Sequence, residues 1–397
     1  MAHTSAVSRL ASRPRLGRRP ARLPSQTSTT DAEEDPPVDF STLVGSLSEV
    51  ESVIGRWDQL VDAITLRRMV PPRVLPLSRT AQEYADDILS VAVIVHPPGL
   101  GRRLVAGLRD QLPRFGLGGV VADMGYFLSP VATPAASPGD ASTRQSWSVT
   151  WRPEHLDDLL RPIPLSLPPA VLGASSVPTW PRERKVALLD TGDEGATRQV
   201  GFELDHSGEE NPSDSRGHGT SVGALLRVAA SHAKVDSFRV LQRDRRLIHS
   251  GLLLRALTET LFPVFGYQVV AIPQRARISV EERYQQHSVQ RMIDGYAGSG
   301  TRVPVLVCAA GNDGPNELID YPATVPGVVV AMGLDWSGEI ADYNCPPLPG
   351  TDPFVVGAYG GVEHDPLGTI SRPGIANRTL YGSSYATALV AATVASL

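Results

Sequence analysis

Four short stretches of this sequence carry residue types that could do chemistry together. The run Lys185-Val186-Ala187-Leu188-Leu189-Asp190-Thr191-Gly192 is an apolar strand ending in an acid, and α/β sheets place their sites at such C-terminal strand ends. Next, Arg216-Gly217-His218-Gly219-Thr220 sets a histidine between glycines that permit close backbone approach. Val222, Leu225, Leu226 and Ala229 give the helix that follows a buried face. Another apolar strand runs from Val303 into Ala309-Ala310-Gly311-Asn312, where a side-chain amide could donate to an oxyanion without carrying charge. Last, Gly382-Ser383-Ser384-Tyr385-Ala386 opens a helix that is apolar through Ala392 and so must be buried. Its N-terminus gathers unpaired N–H groups and the positive end of the helix dipole. A serine there either caps the helix or sits where an oxyanion could be stabilised.

The Asp-Thr-Gly of the first stretch is ambiguous, because aspartic proteases carry it too. Those enzymes need two such carboxylates sharing a proton, and this chain has no second Asp-Thr-Gly. The histidine stands between the acid and the serine in the chain order Asp190, His218, Ser384. Between the four stretches the patterning predicts strands over 235–241, 268–272 and 327–333 and a helix over 250–261.

With these pieces in order, residues 183–397 resemble the subtilisin family of serine proteases. The resemblance is carried by Asp190-Thr191-Gly192, His218-Gly219-Thr220, Ala309-Ala310-Gly311-Asn312 and Gly382-Ser383-Ser384-Tyr385-Ala386. It implies an α/β, three-layer, subtilisin-like fold with a mostly parallel sheet, preceded by a smaller α+β N-terminal region. It further implies Ser384 as nucleophile, His218 as general base and then acid, and Asp190 as the group that holds the imidazole tautomer. The Asn312 side chain and the backbone N–H of Ser384 would form the oxyanion hole. The substrate would be a protein or peptide. A catalytically weak, subtilisin-like binding or regulatory module is the alternative.

The sequence departs from the family at several points. Ser383, Tyr385 and Ala388 stand where threonine, methionine and proline are usual. The strand that normally enters a Ser-x-Gly segment lining the cleft reads Ala271-Ile272-Pro273-Gln274-Arg275, and Pro273 has no N–H to offer a substrate. The stretch from the His218 helix to Val235 lacks the loop that binds calcium in many relatives, so no calcium ligand set is readable and no cofactor is expected. Only 13 residues follow Ser384, which leaves open a domain incomplete at its C-terminus.

Upstream, residues 1–40 read as a disordered tail, arginine-rich and then acidic. Residues 41–160 read as a helical plus α+β region, and 161–182 as a proline-rich linker. Leu43, Leu47, Val50, Ile54, Trp57, Val61 and Ile64 alternate spacings of four and three, which predicts a helix over 43–64 with one apolar seam. That seam packs on its own domain or takes a partner helix. Residues 91–160 suggest the order β-α-β-β-α, as in the prodomains that precede subtilisins, so this region reads as a removable prodomain or a partner domain. The turn Pro98-Gly99-Leu100-Gly101 lacks the third glycine a phosphate loop needs.

Composition narrows the class. Residues 1–30 hold six arginines and no acid, so the rest carries −11 of the net −5, and nothing in the folded part suggests a nucleic-acid partner. The arginine-rich start has no apolar core of a secretory signal, and no run of about 18 apolar residues offers a membrane span. With only Cys308 and Cys345, no disulfide framework is expected, and the reading is cytoplasmic.

Overall fold

The computed structural model describes residues 39–66, 69–78, 80–130, 146–152, 184–201, 214, 216–240, 248–276, 287–297, 302–351 and 353–397. The expected tail, the linker and the closing helix of the β-α-β-β-α order lie outside these residues, apart from the acidic tail's last two positions.

Residues 43–64 are not one helix. They divide into the end of strand β1 (Asp39–Gly45), helix α1 (Leu47–Gly55) and helix α2 (Trp57–Ala63). Ser46 makes the division. Its hydroxyl accepts from Glu49 N–H at 3.3 Å while Glu49 Oε2 accepts from Ser46 N–H at 3.1 Å, a reciprocal cap that starts a helix only at Leu47. The seam therefore crosses three elements, and Leu43, Val50, Trp57, Val61 and Ile64 are all buried in their own core. The expectation of one helix over 43–64 is corrected, and of its seam only Leu47 and Ile54 remain half-buried.

β1 is also the closing strand of the N-terminal region. It pairs antiparallel with β3 (Ser90–His96) and β4 (Val121–Met124), and β2 (Arg73–Val74) completes the sheet in the order β2-β3-β1-β4. Helix α3 (Gly101–Arg114) joins β3 to β4. Alternation gives this sheet two apolar faces. Ala92 and Ile94 face α1, α2 and α3, whereas Phe40, Val44, Val91 and Val93 join the core on the opposite side. Strand β5 (Phe127–Pro130) and strand β6 (Ser148–Trp151) follow but belong to other sheets.

Strands buried on both faces read as unbroken apolar runs, and the central sheet is built of them. β7 (Arg184–Asp190), β8 (Arg198–Gly201), β9 (Ala233–Arg239), β11 (Val269–Ile272), β13 (Val305–Ala309), β14 (Val329–Leu334) and β15 (Phe354–Tyr359) lie in the order β15-β14-β13-β11-β7-β9-β8. All their described pairings are parallel. Val186 and Leu188 face helix α4 (His218–Ala229) and the last helix, α7 (Ser383–Ser396). Ala187 and Leu189 face α5 (Ser250–Thr260) and α6 (Ser288–Ala297). Helices thus cover both faces, which makes the expected three layers. Ser383 to Ala395 are all buried, so α7 is a core helix. Strands β10 (Ile248–His249) and β12 (Gln274–Ala276) flank β5, and β16 (Gly368–Arg372) lies between β6 and β17 (Ile375–Leu380). No helix among the described residues is long and apolar enough to cross a membrane.

Polar side chains join the N-terminal sheet to these layers. Asp123 on β4 accepts from the N–H groups of His287 (2.9 Å) and Ser288 (2.6 Å) at the start of α6, and from Arg109. Glu259 accepts from the N–H and hydroxyl of Ser78, both at 2.8 Å, and pairs with Arg255. An acid at a helix N-terminus satisfies orphan donors and the dipole together. Asp123→Ala leaves those buried donors unpaired, so urea unfolding should show a loss of roughly 2–3 kcal/mol. A change below about 0.5 kcal/mol, the usual span of a surface substitution, would show that Asp123 does not hold α6 to the sheet.

Candidate active site

Asp190 ends β7 with no exposed surface. Its Oδ1 accepts from Thr191 N–H at 2.6 Å, from Gln274 Nε2 at 2.7 Å and from His218 Nδ1 at 2.8 Å. Its Oδ2 lies 2.9 Å from the same His218 nitrogen. Burial raises the Asp190 carboxyl above its ordinary value, opposed by the charge and hydrogen bond of His218 and by the Thr191 N–H. Among the described residues no second carboxylate is hydrogen-bonded to Asp190. The neighbouring acid, Asp214, accepts instead from Thr191 Oγ1 at 2.8 Å.

His218 is the first residue of α4 and is buried. Asp214 fixes that helix start, accepting from the N–H groups of Arg216, Gly217 and Thr220 at 2.9, 2.8 and 2.8 Å. Thr191 Oγ1 also accepts from Gly219 N–H at 3.0 Å, so one threonine ties the Asp190 turn to the His218 helix. The turn comes so close that a Cβ at Gly219 would overlap the carbonyl oxygen of Gly192. His218 Nε2 is buried and has no hydrogen-bond partner among the described residues.

At the far side, Gly382 (φ 129°) turns the chain from β17 into α7. Asn312 Oδ1 accepts from both the N–H and the hydroxyl of Ser383, at 2.9 Å each. Ser383 Oγ in turn accepts from Gly311 N–H at 3.1 Å. This arrangement assigns the amide nitrogen of Asn312 to the other side, over Gly382, where a Cβ would overlap it. Ser384 is fully buried, and its hydroxyl donates to the Pro273 carbonyl at 3.2 Å. Tyr385 shares a 2.9 Å hydrogen bond with Ser221 Oγ, which donates to the His218 carbonyl at 2.8 Å. Burial raises the Tyr385 phenol above its ordinary value, so this link between α7 and α4 stays protonated.

The four residues singled out from the sequence thus lie on two linked sides. Asp190 and His218 are in direct contact, and Asn312 is bonded to the neighbour of Ser384. The two sides meet at Pro273-Gln274, where Pro273 O takes the Ser384 hydroxyl and Gln274 Nε2 reaches Asp190. Two residues here escaped the sequence reading. Asp214 has a recognisable signature, an acid four positions before a helix-starting histidine. Gln274 has none, because its reach depends on how β12 leaves β11 after a proline. The strand edge here is occupied. β12 pairs antiparallel with β5, setting Gln274 opposite Pro130 and Arg275 opposite Ser129. β10 pairs along the other edge of β5. Among the described residues no group of three or more His, Cys, Asp or Glu could hold a metal ion.

Residues 271–397 match the model of the subtilase family, peptidase S8. This segment carries Pro273, Gln274, Asn312 and Ser384, and its match supports a peptidase. No curated protein matches the chain. Among solved structures, "Structure of Prenylagaramide maturation protease PagA" aligns with a TM-score of 0.40 at 19% identity, over 54% of this chain and 74% of that one.

The raised proton affinity of Asp190 has a consequence for stability. Above the ordinary carboxyl value of 3.8, the folded state holds the Asp190 proton more tightly than the unfolded chain does. Ionising this group therefore costs stability as pH rises through the window between 3.8 and the raised value. Asp190→Asn removes that ionisation. Thermal melts from about pH 4 to about pH 7 should show wild type losing stability relative to the variant as pH rises. A wild-type advantage that grows with pH would mean a carboxylate whose proton affinity is lowered instead.

Proposed function

We propose that this protein is a serine endopeptidase, with Ser384 as nucleophile, His218 as general base and then acid, Asp190 as the orienting carboxylate and Asn312 as an oxyanion donor. The observation that carries this reading is the Asp190–His218 Nδ1 hydrogen bond. It commits the tautomer in which Nδ1 bears the proton, so Nε2 keeps a lone pair. That nitrogen is buried and lacks a partner among the described residues, which suits it to take a proton from Ser384. The serine hydroxyl must first turn from Pro273 O to Nε2, and hydrogen bonds of this kind often tighten only when substrate binds.

The chemistry follows in balanced steps. Ser384 Oγ bonds to the substrate carbonyl carbon as its proton passes to His218 Nε2. Charge develops on the carbonyl oxygen, where the Asn312 amide and the Ser384 N–H donate without reorganising. His218 returns the proton to the leaving amine, and water then repeats the sequence on the acyl-enzyme. Protein or peptide is the substrate, and no step calls on a metal.

The N-terminal region supports a linked reading as an intramolecular prodomain. Its strand β5 already pairs along β12, the strand that begins just after Pro273, whose carbonyl contacts Ser384, and Pro273 itself has no N–H for a substrate strand. An active preparation analysed by mass spectrometry should therefore show cleavage C-terminal to Pro130. Full activity in a chain still intact across residues 131–183 would make this region a permanent part of the enzyme.

Hydrolysis of a peptide library tests the assignment of the site. Ser384→Ala should abolish it. Asn312→Asp keeps the acceptor that anchors Ser383 but loses the donor, so kcat should fall on the order of 10²–10³, or roughly 2.7–4 kcal/mol, with KM little changed. A folded Asn312→Asp enzyme with kcat within a few-fold of wild type would confine Asn312 to tethering Ser383.

A further inference from the structure

Gln274 is fully buried, yet only half of its amide is satisfied. Nε2 donates to Asp190 Oδ1 at 2.7 Å, whereas Oε1 has no hydrogen-bond partner among the described residues. Leucine or methionine would fill the same space without burying an unpaired carbonyl. A side chain kept at that expense next to a buried carboxylate points to a task performed through Asp190. We infer that Gln274 is a positioning residue for this site, its neutral amide holding the Asp190 carboxylate against His218 and tying that acid to the segment that touches Ser384. The inference rests on the serine-peptidase reading above.

Three features define what the amide does. Among the described residues it is one of three hydrogen-bond donors to Oδ1, and His218 Nδ1 also lies 2.9 Å from Oδ2. The amide thus adds a second side-chain donor, beside His218, that holds the carboxylate in place. It also donates without being able to lose its proton, so it stabilises the negative charge and does not compete for the proton on Nδ1. Finally, Gln274 follows Pro273 directly. Adjacent residues, one just before β12 and one its first, therefore contact the serine hydroxyl and the acid, and a shift of β12 moves both contacts together. The pairing of Gln274 with Pro130 places that strand under the control of whatever lies along its edge.

Other charged and titratable groups nearby are engaged elsewhere. Asp214 holds Thr191 and the start of α4. Tyr385, from α7, bonds to Ser221. Arg275, the next residue, turns to Asp313 and Asp320. His218 is the proton carrier itself.

The test uses the full chain and two substitutions, with Ser384→Ala as the control for the underlying reading. Gln274→Leu removes the donor. It should lower kcat roughly ten- to a hundred-fold while KM stays within about threefold, as expected for a misplaced catalytic group. The proton NMR signal of His218 Nδ1–H should move with it. Gln274→Glu keeps the shape but can donate only when its new carboxyl is protonated. Burial and the adjacent Asp190 charge raise the proton affinity of that carboxyl. The glutamate enzyme should therefore approach wild type at low pH and lose kcat as pH rises, giving a limb that neither wild type nor Gln274→Leu shows. If Gln274→Leu does not fold, the added limb of Gln274→Glu still decides the matter. A leucine variant with wild-type kcat and an unmoved Nδ1–H signal overturns the inference. So do variants that lose only melting temperature, with no new limb. Wild type that hydrolyses no peptide, or Ser384→Ala that still does, overturns the site reading and this inference with it.

Discussion

Taking the Asp190 carboxylate out of water is unfavourable unless donors surround it, and burial does raise its affinity for a proton. Three donors answer that demand, one from the following peptide, one from α4 and one from β12. Each must arrive within hydrogen-bond distance of one oxygen. The Gly192 turn therefore abuts Gly219, Thr191 bridges to Asp214, and β12 bends after Pro273 to bring Gln274 inward. The geometry around His218 follows from surrounding one buried acid with donors.

The parallel sheet makes this possible because its strand ends converge. β7 delivers Asp190, β11 leads into Pro273-Gln274, and β13 leads into Gly311-Asn312, all neighbours in the order β13-β11-β7. Helix α7 crosses the same ends with its N-terminus aimed at them, held there by Ser383 on Asn312 and Tyr385 on Ser221. The departures from the subtilisin pattern at Ser383 and Tyr385 thus have structural work. Ser383 positions the amide of Asn312, and the Tyr385 hydroxyl joins α7 to the helix that carries His218.

The strands that carry chemistry were readable because they are buried on both faces, so their sequences are continuous apolar runs that stop at polar residues. Asp190 and Asn312 stand at or just past those stops, whereas His218 and Ser384 stand at the starts of buried helices. The N-terminal region was less readable. Leu43, Leu47 and Val50 keep a helical spacing across a strand-to-helix boundary, and that spacing alone does not reveal where one element yields to the next. Ser46 and Glu49 were the local signal that resolves it. Nothing local announces that β5 lies between β10 and β12, or that Gln274 reaches Asp190. Both are long-range pairings set by the tertiary fold, and a proline that breaks a strand does not say where the following side chain will point.

The central claim is that a buried Asp190–His218 pair activates Ser384, and a serine-reactive fluorophosphonate applied to the folded full-length chain tests it most directly. The account predicts one adduct per chain, mapped by peptide mass spectrometry to Ser384, and no comparable labelling in a folded His218→Ala variant. An adduct on another serine, or labelling of Ser384 that is indifferent to His218, would contradict it.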